Sequence, residues 1–408
     1  MSKVLLLTTN FWPEPTGIAV YTTDLAEALK INDYHVTVLT SLPHYPWWKI
    51  PKEFSHLIEG VSSHNGVEVL RAKHLVPPKM NALLRMRFEF SLWWNLKRVS
   101  KRFNNNEFDV VIGYMPTVAA GVIGNKIAKR LDVPFGLIVQ DLSGAGAKQS
   151  GLRGGALISR IAHLVEGNAL HGADSLVVVS PAMGDVVVGL GVESKKVNQI
   201  LNYSARSIDS VDKMNAREKF GWAEGEFVVI HTGNMGAKQD LENVVKAAEA
   251  IHTDSKIKIY LVGHGNQEAR LKELCKGKSN IRIIPAVSDD DYSALLSAAD
   301  LLLVNERPTQ MEMSLPSKLT SYLYSERPVI AAVPRGGATW KFLDGIAELV
   351  EACNPKALAD SIIKLQNDSA KMQKLAMDGL AFAKANLEPS VGRAKYLEWV
   401  QKLLSTTV

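Results

Sequence analysis

Phe227-Val228-Val229-Ile230-His231-Thr232 runs directly into Gly233-Asn234-Met235-Gly236-Ala237-Lys238, and a helical pattern opens near Gln239. An apolar run, a glycine-bearing turn and a helix are the parts of a βα unit in a parallel sheet. Further on, Pro316-Ser317-Lys318-Leu319 is a polar turn that opens an apolar helix, and that helix leads into Pro328-Val329-Ile330-Ala331. Glycines let backbone N–H groups approach an anion, and each of these turns carries a lysine. Together they describe a diphosphate site.

Working outward, short apolar β-runs alternate with helical patterns along the whole chain. In the second half the strands are Phe227–Thr232, Ile257–Val262, Ile281–Ile284, Leu301–Val304 and Val329–Ala332, with helices beginning near Gln239, Gln267, Asp289, Ser317 and Ala338. In the first half they are Val4–Thr8, His35–Thr40, Val67–Arg71, Asp109–Gly113, Phe135–Val139, Ser175–Val179 and Val197–Leu201. Helices such as Ala19–Lys30 and Thr117–Arg130 fall between them. This alternation predicts an α/β chain of two doubly wound, Rossmann-like domains facing a cleft, each with its ligand edge at the carboxyl ends of its strands. The polar segment Tyr203–Glu218 is the expected hinge. Beyond Asn354 the pattern is purely helical, broken at Pro389 before a last helix, Val391–Leu404.

The 408 residues, 46% apolar and 22% charged, suffice for two large cores. Cys275 and Cys353 lie far apart and form no metal-ligand spacing, so they read as buried thiols in a reducing compartment. The apolar run after Lys3 is too short for a signal peptide, and no stretch reaches the ~20 residues that span a bilayer. A soluble, cytoplasmic protein is expected. Net charge is +5, and its placement is more telling than its size. Lys79, Arg85, Arg87, Lys97, Arg98, Lys101 and Arg102 cluster between Lys79 and Phe103 with a single acid, Glu89. Phe88, Phe90, Trp93 and Trp94 are interleaved with them. Such a helix is either a membrane-surface element or a domain helix with a solvated basic face; the aromatics are too many for one core stripe, which favours the first.

Other turns carry chemistry. Phe11-Trp12-Pro13-Glu14-Pro15-Thr16-Gly17-Ile18-Ala19 follows the first strand, where Gly17 and the helix start offer an oxyanion or sugar contact, or make an ordinary βα turn. Gln140-Asp141, ending a strand before Leu142-Ser143-Gly144-Ala145-Gly146, puts a carboxylate where it can orient or deprotonate a hydroxyl, or cap the next turn. Ser180-Pro181 reads as a helix N-cap and first residue, and Asn202 as a cleft or turn asparagine. Lys238 and Lys318 sit at helix starts, where a cation opposes the dipole unless an anion is bound. Gly263-His264-Gly265 is a third turn for close approach, with His264 a turn histidine or a base contact. Arg307 and Glu306 occupy another ligand-edge loop. Leu42–Pro51, with Pro43, Pro46, Trp47 and Trp48, carries no readable code. No dinucleotide G-x-G-x-x-G follows the first strand, and no Walker loop, zinc spacing or Ser-His-Asp order stands out.

Four of these stretches, in this order, resemble the family-4 retaining glycosyltransferases of GT-B fold. They are Phe11–Ala19, Gln140–Leu142, Gly233–Gln239 and Pro316–Thr320, and the resemblance covers essentially the whole chain. The pattern is most similar to the subgroup that builds bacterial exopolysaccharide and O-antigen units, such as the colanic-acid and N-acetyl-fucosamine transferases. The resemblance implies residues 1–205 as an acceptor-side domain, 206–385 as the nucleotide-sugar domain, and 386–408 as a helix crossing back to the first. It implies Asp141 and Lys238 as catalytic residues, Lys238 neutralising the β-phosphate as it leaves. Gly17, Gly233, Asn234, Gly263, Ser317, Lys318 and Leu319 join Lys238 around the donor. No metal and no cofactor are implied, and the anomeric configuration is retained. The family's arginine near Asn234 is absent here. Its two glutamates, spaced eight apart, are replaced by Met313 and Ser321, so that Glu312 or another residue substitutes or the ribose is held differently; Gln140 replaces a histidine. Lys318 supplies a compensating charge.

The expectation is a metal-independent hexosyl- or N-acetylhexosaminyl-type transferase, UDP favoured over GDP, acting on a polyprenyl-linked or saccharide acceptor and not on nucleic acid. Arg85, Arg87, Trp93, Trp94 and Arg98 form its acceptor or membrane side, peripheral to the inner face of the plasma membrane. A sugar-nucleotide epimerase of the same fold lacks a convincing carboxylate–histidine set here. A noncatalytic sugar-nucleotide-binding partner is motivated by the missing arginine and glutamates.

Overall fold

A computed structural model of the chain describes residues 1–15, 17–54, 61–77, 82–115, 117–142, 164–203, 211–252, 256–308 and 315–405. It divides into two compact units, Met1–Asn202 with Gly392–Val408, and Tyr203–Val391. Ser143–Gly146, Glu312 and Met313 fall outside the described residues, as does part of the expected hinge.

The first unit begins β1 (Lys3–Leu7), α1 (Ile18–Ile31), β2 (His35–Ser41), β3 (Val61–His64), β4 (Val67–Ala72), α2 (Ala82–Ser100). It continues β5 (Val110–Met115), α3 (Val118–Leu131), β6 (Phe135–Val139), β7 (Ser175–Val178), α4 (Pro181–Gly189), β8 (Val197–Gln199). The sheet order is β3-β4-β2-β1-β5-β6-β7-β8, parallel throughout except for β3 against β4. Central strands are buried on both faces, as helix-covered parallel strands must be; Val4 through Leu7 are wholly inaccessible. The β3–β4 hairpin, absent from the sequence expectation, turns on Asn65-Gly66, both at positive φ (47° and 77°). A two-residue turn of that kind matches the strand twist and needs Asn-Gly or its equivalents. Ser180 caps α4, its hydroxyl accepting from Met183 N at 3.1 Å, with Pro181 at the first helical position.

The second unit runs α5 (Lys213–Phe220), β9 (Phe227–Thr232), α6 (Leu241–Ala250), β10 (Ile257–Val262), α7 (Glu268–Cys275), β11 (Ile281–Ile284), α8 (Asp289–Ala298). There follow β12 (Leu301–Asn305), α9 (Lys318–Tyr324), β13 (Val329–Val333), α10 (Ala338–Leu343), β14 (Glu348–Glu351), α11 (Pro355–Gln366) and α12 (Ser369–Asn386). Its all-parallel order, β11-β10-β9-β12-β13-β14, is the doubly wound order with a switch point between β9 and β12. Ligands bind at such a point, beyond the carboxyl ends of the two strands. Part of the expected hinge is helix α5, capped by Asp212 and ended by Gly221 at φ 67°. β14 is a short edge strand that alternation did not announce.

The last helix, α13 (Pro389–Ser405), belongs to the first unit from Gly392 onward. Trp399 donates its indole N–H to Ser175 Oγ at 2.9 Å, and Arg393 forks onto Asp24. A Cβ on Gly136 would lie 2.7 Å from the Trp399 ring, so β6 carries a glycine where this helix docks. Both thiols are free, but neither is fully buried: Cys353 is exposed in the turn after β14 and Cys275 half-buried at the end of α7. Among the described residues no helix is long and apolar enough to cross a membrane.

Candidate functional site

At the switch point of the second unit three glycines bring two turns into backbone contact. Gly233 N donates to Val262 O (2.9 Å) and Met235 N to His264 O (2.7 Å). A Cβ on Gly263 would fall 1.9 Å from Gly233 O, and one on Gly265 2.4 Å from Met235 O. Gly263 also has φ +144°. The second turn therefore needs its glycines to pack against the first, and Gly263 serves the chain itself. Two of the expected anion donors are likewise committed, which leaves the N–H groups of Asn234 and Gly236 to a ligand among the described residues.

Lys318, the first residue of α9, reaches into this turn. A Cβ on Gly233 would lie 3.6 Å from Lys318 Nζ, so the ammonium lies against the glycine. The ammonium donates to His231 Nε2 at 3.2 Å, while Nδ1–H of that ring donates to Leu303 O at 3.1 Å. The β9–β12 ladder stops at Ile230 and Leu302, and the imidazole takes up the next carbonyl. One helical turn after Lys318, Tyr322 Oη accepts the Thr232 N–H at 2.8 Å. The i and i+4 positions of α9 thus pin its start to the end of β9. Burial pulls the Lys318 pKa down to about 7, opposed by Glu306. Burial, then the Lys318 charge, holds His231 neutral, and burial pushes the Tyr322 hydroxyl up.

Lys238 is exposed on a one-turn 3-10 segment, Ala237–Gln239, ahead of α6 rather than within its first turn. Its carbonyl accepts from Arg307 N at 2.9 Å, which ties the end of β12 to this turn. A pocket of about 230 Å³ opens beside it, lined by Gly236, Ala237, Gln267, Arg270 and Arg307 among others. Asn234 and Ser317 are exposed. Leu319 has its side chain buried in the core and its N–H committed to Pro316 O (3.0 Å), so it holds the turn. His264 is an exposed turn residue.

The first unit has its own polar edge. Gly17 caps α1 at φ 68°, and a Cβ there would meet the Tyr45 ring at 3.3 Å. Asp141 is exposed after β6 and accepts the Leu142 N–H at 2.8 Å. Beside it Gln140 and Asn202 exchange amide hydrogen bonds (2.8 Å each way), and Gln140 Nε2 donates to Tyr114 Oη at 2.6 Å. Asn202 is thus a partner of Gln140, next to Asp141.

Sequence reasoning missed a buried group here. Glu14 accepts the N–H groups of His44 (2.6 Å) and Tyr45 (2.8 Å) through Oε1 and Asn10 Nδ2 (2.7 Å) through Oε2. It thereby organises the loop after β2 that had no readable code. Arg71 donates to the carbonyls of Trp12 (2.6 Å) and Ser41 (3.3 Å). The His74 ring packs on His44 (4.5 Å between centroids) and Phe88 (5.6 Å). Burial, with His44 beside it, lowers the His74 pKa from 6.5 to about 3. Because that pKa is depressed on folding, the contribution is intact above 6.5 and is lost as pH falls towards 3, where the unfolded chain alone takes up the proton. The slope reaches about 1.4 kcal/mol per pH unit. Unfolding midpoints between about pH 5 and 7 should show a shallower acid loss in His74→Phe than in the parent; equal slopes would contradict this.

On α2, Phe88, Leu92 and Leu96 face the core, while Met86, Phe90 (62% exposed) and Trp94 (55%) share the outer face with Arg87 and Arg98. Trp93 is half-buried beneath Lys97 and Lys126, 5.0 and 5.5 Å from its centroid. Arg85 lies on this helix, its side chain outside the description.

Two doubly wound units in tandem, the second with a lysine-bearing glycine turn at its switch point, define the GT-B class. Two family models match the chain: the glycosyl transferase 4-like domain over residues 16–202, and glycosyl transferases group 1 over residues 212–379. WcaI of Escherichia coli (strain K12), provisionally named a colanic acid biosynthesis glycosyl transferase, is 28% identical over 376 residues, 88% of this chain and 91% of that protein. Sucrose-phosphate synthase from Thermosynechococcus elongatus has the same fold at a TM-score of 0.74 and 17% identity, over 100% of both chains. Anabaena HepE in complex with UDP does so at a TM-score of 0.71 and 15% identity, over 98% of this chain and 100% of that one. The chain belongs to the family-4 glycosyltransferases of GT-B fold.

Proposed function

We propose that this chain is a retaining, metal-independent glycosyltransferase of bacterial cell-surface polysaccharide synthesis. It moves a hexosyl- or N-acetylhexosaminyl-type sugar from a nucleoside diphosphate, UDP in preference to GDP, to a lipid-linked or saccharide acceptor. The observation that carries this reading is the Lys318 ammonium held against Gly233 at the switch point. Lys238 lies on the same turn, and the Asn234 and Gly236 N–H groups are available there. As the bond from C1 to the β-phosphate oxygen breaks, negative charge grows on the diphosphate, and fixed cations and donors meet it without reorganising. The acceptor oxygen bonds to C1 on the face the phosphate leaves, and its proton passes to the departing oxygen. Asp141 orients the acceptor hydroxyl in this account. The polysaccharide assignment follows the similarity to WcaI, and UDP follows the ligand in the HepE structures.

The outer face of α2 would rest on anionic lipid at the inner face of the plasma membrane, holding the enzyme near a polyprenyl-linked acceptor. Each basic residue near such a surface contributes about 1 kcal/mol, screened by salt. Neutral replacement of Arg85, Arg87, Arg98 and Arg102 should weaken sedimentation with phosphatidylserine vesicles and flatten its salt dependence. Unchanged binding would remove the membrane role.

The reaction itself is tested by nucleotide release with a mixed pool of lipid-linked saccharides and by NMR of the new anomeric proton. The product should carry the donor's anomeric configuration. The opposite anomer would overturn retention, and binding without turnover would favour a noncatalytic partner.

A further inference from the structure

We propose that His231 is a positioning residue for the Lys318 ammonium, and that arrival of a nucleoside diphosphate drives Lys318 to full protonation, so that donor binding takes up a proton. The inference rests on the diphosphate site proposed above and adds a residue and a linkage to it.

The geometry has three parts. His231 is wholly buried in β9, one residue before Thr232 and two before the turn glycine. Its Nδ1–H is committed to Leu303 O, which leaves Nε2 as an acceptor aimed at Lys318 Nζ (3.2 Å). That nitrogen in turn lies against Gly233, where the chain is exposed. A lysine stem has four rotatable bonds, and an acceptor at its tip selects one arrangement before the ligand arrives. After the apolar run Phe227–Ile230 the imidazole faces two ways, answering the Leu303 carbonyl through Nδ1–H and presenting Nε2 as a fixed acceptor for the ammonium.

Among the described residues, the charged and titratable groups facing Lys318 are few. His231 on β9 stays neutral, and the Glu306 carboxylate after β12 favours the ammonium, itself accepting from Thr339 Oγ1 at 2.7 Å. Tyr322 on α9 and Tyr292 on α8 meet at Thr232 Oγ1, both 3.1 Å away, and burial keeps Tyr322 un-ionised. Glu306 alone does not offset burial, so the unliganded lysine titrates near neutrality. A diphosphate adds negative charge beside it and raises its proton affinity. Above about pH 7 each binding event must then gather a proton, and affinity falls by up to tenfold per pH unit.

Calorimetric titration of UDP, with GDP in parallel, into the full-length protein in phosphate and in Tris reads the proton count from the difference in apparent enthalpy. Uptake should approach one proton per nucleotide near pH 8 and vanish near pH 6. Lys318→Met should abolish it. His231→Phe removes the acceptor and should weaken binding at least about tenfold, raising donor KM more than it lowers kcat, with the pH profile displaced towards acid. His231→Gln restores an amide oxygen near Nε2 and should recover much of the affinity and the profile. Should the Phe variant not fold, Asn makes the comparison, because its shorter amide does not reach Lys318. Binding with no proton uptake, or a Phe variant that matches the parent in affinity and pH profile, overturns the inference alone. If neither nucleotide binds the parent protein, the diphosphate site falls and the inference with it.

Discussion

Lys238→Ala is expected to lower kcat by about 10²–10³-fold while leaving the unfolding midpoint almost unchanged. The side chain is exposed on a one-turn segment, and the tie from this turn to β12 runs through the Lys238 carbonyl, which alanine keeps. What is lost is a cation beside the departing β-phosphate, where negative charge is larger in the transition state than in the bound donor. Only an interaction that strengthens along the reaction changes kcat. Steady-state rates of nucleotide release, with donor and acceptor saturating, separate the effects. A variant with the parent's kcat and a raised donor KM would make Lys238 a binding residue only.

Lys318→Met should do the opposite of an ordinary core mutation: it should weaken nucleotide binding and remove a pH-dependent weakness of the unliganded fold. The Lys318 pKa is lowered from 10.5 in the unfolded chain to about 7 in the folded one. The unfolded chain therefore holds a proton that the folded chain has partly given up across that interval. Stability is highest above the unfolded pKa and falls as pH drops towards the folded one, with a slope of up to about 1.4 kcal/mol per unit. Methionine is of similar length, carries no charge and abolishes that slope. It also leaves His231 Nε2 without its donor, at about 1–3 kcal/mol, which reduces any gain at neutral pH. The clean signature is the difference in stability between variant and parent, which should shrink steadily from about pH 7 to pH 10. Nucleotide affinity should fall about 10–100-fold, the value of a charge-assisted hydrogen bond. A constant difference across that range would show that the ammonium is not desolvated.

The parallel framework was legible because its strands are buried on both faces and read as apolar runs bounded by turns. Phe227–Thr232, Ile257–Val262 and Phe135–Val139 need no tertiary information to be found. Val61–His64 was missed because Val-Ser-Ser-His is a half-exposed edge strand with no apolar run; its signal was the Asn65-Gly66 turn beside it. Glu348–Glu351 was missed for the same reason, as an edge of four residues with one buried. The glycine- and lysine-bearing turn Gly233–Lys238 was legible as a turn, yet the reasons for the glycines packed at it were not. Gly263 and Gly265 are required by another stretch of backbone, a contact that exists only once β9 and β10 pair. His231 was hidden in the same way. A histidine at the end of an apolar strand has no meaning until α9, almost ninety residues later, brings Lys318 to it. Glu14, His44, Arg71 and His74 come from four separate turns and strands, and only the strand order assembles them. Leu319, by contrast, belonged to a motif that matched, and the fold uses it as core.

The measurement that bears most directly on a nucleoside diphosphate at the Gly233 turn is a thermal-shift screen of the parent and Lys238→Ala against UDP, GDP, ADP and their common sugar conjugates. At 100 times the dissociation constant, linkage gives roughly 2.7 kcal/mol of stabilisation. One nucleotide class, UDP first, should raise the parent's midpoint clearly and the variant's much less. No shift with any of them, or equal shifts in parent and variant, would contradict a diphosphate site built on Gly233, Lys238 and Lys318.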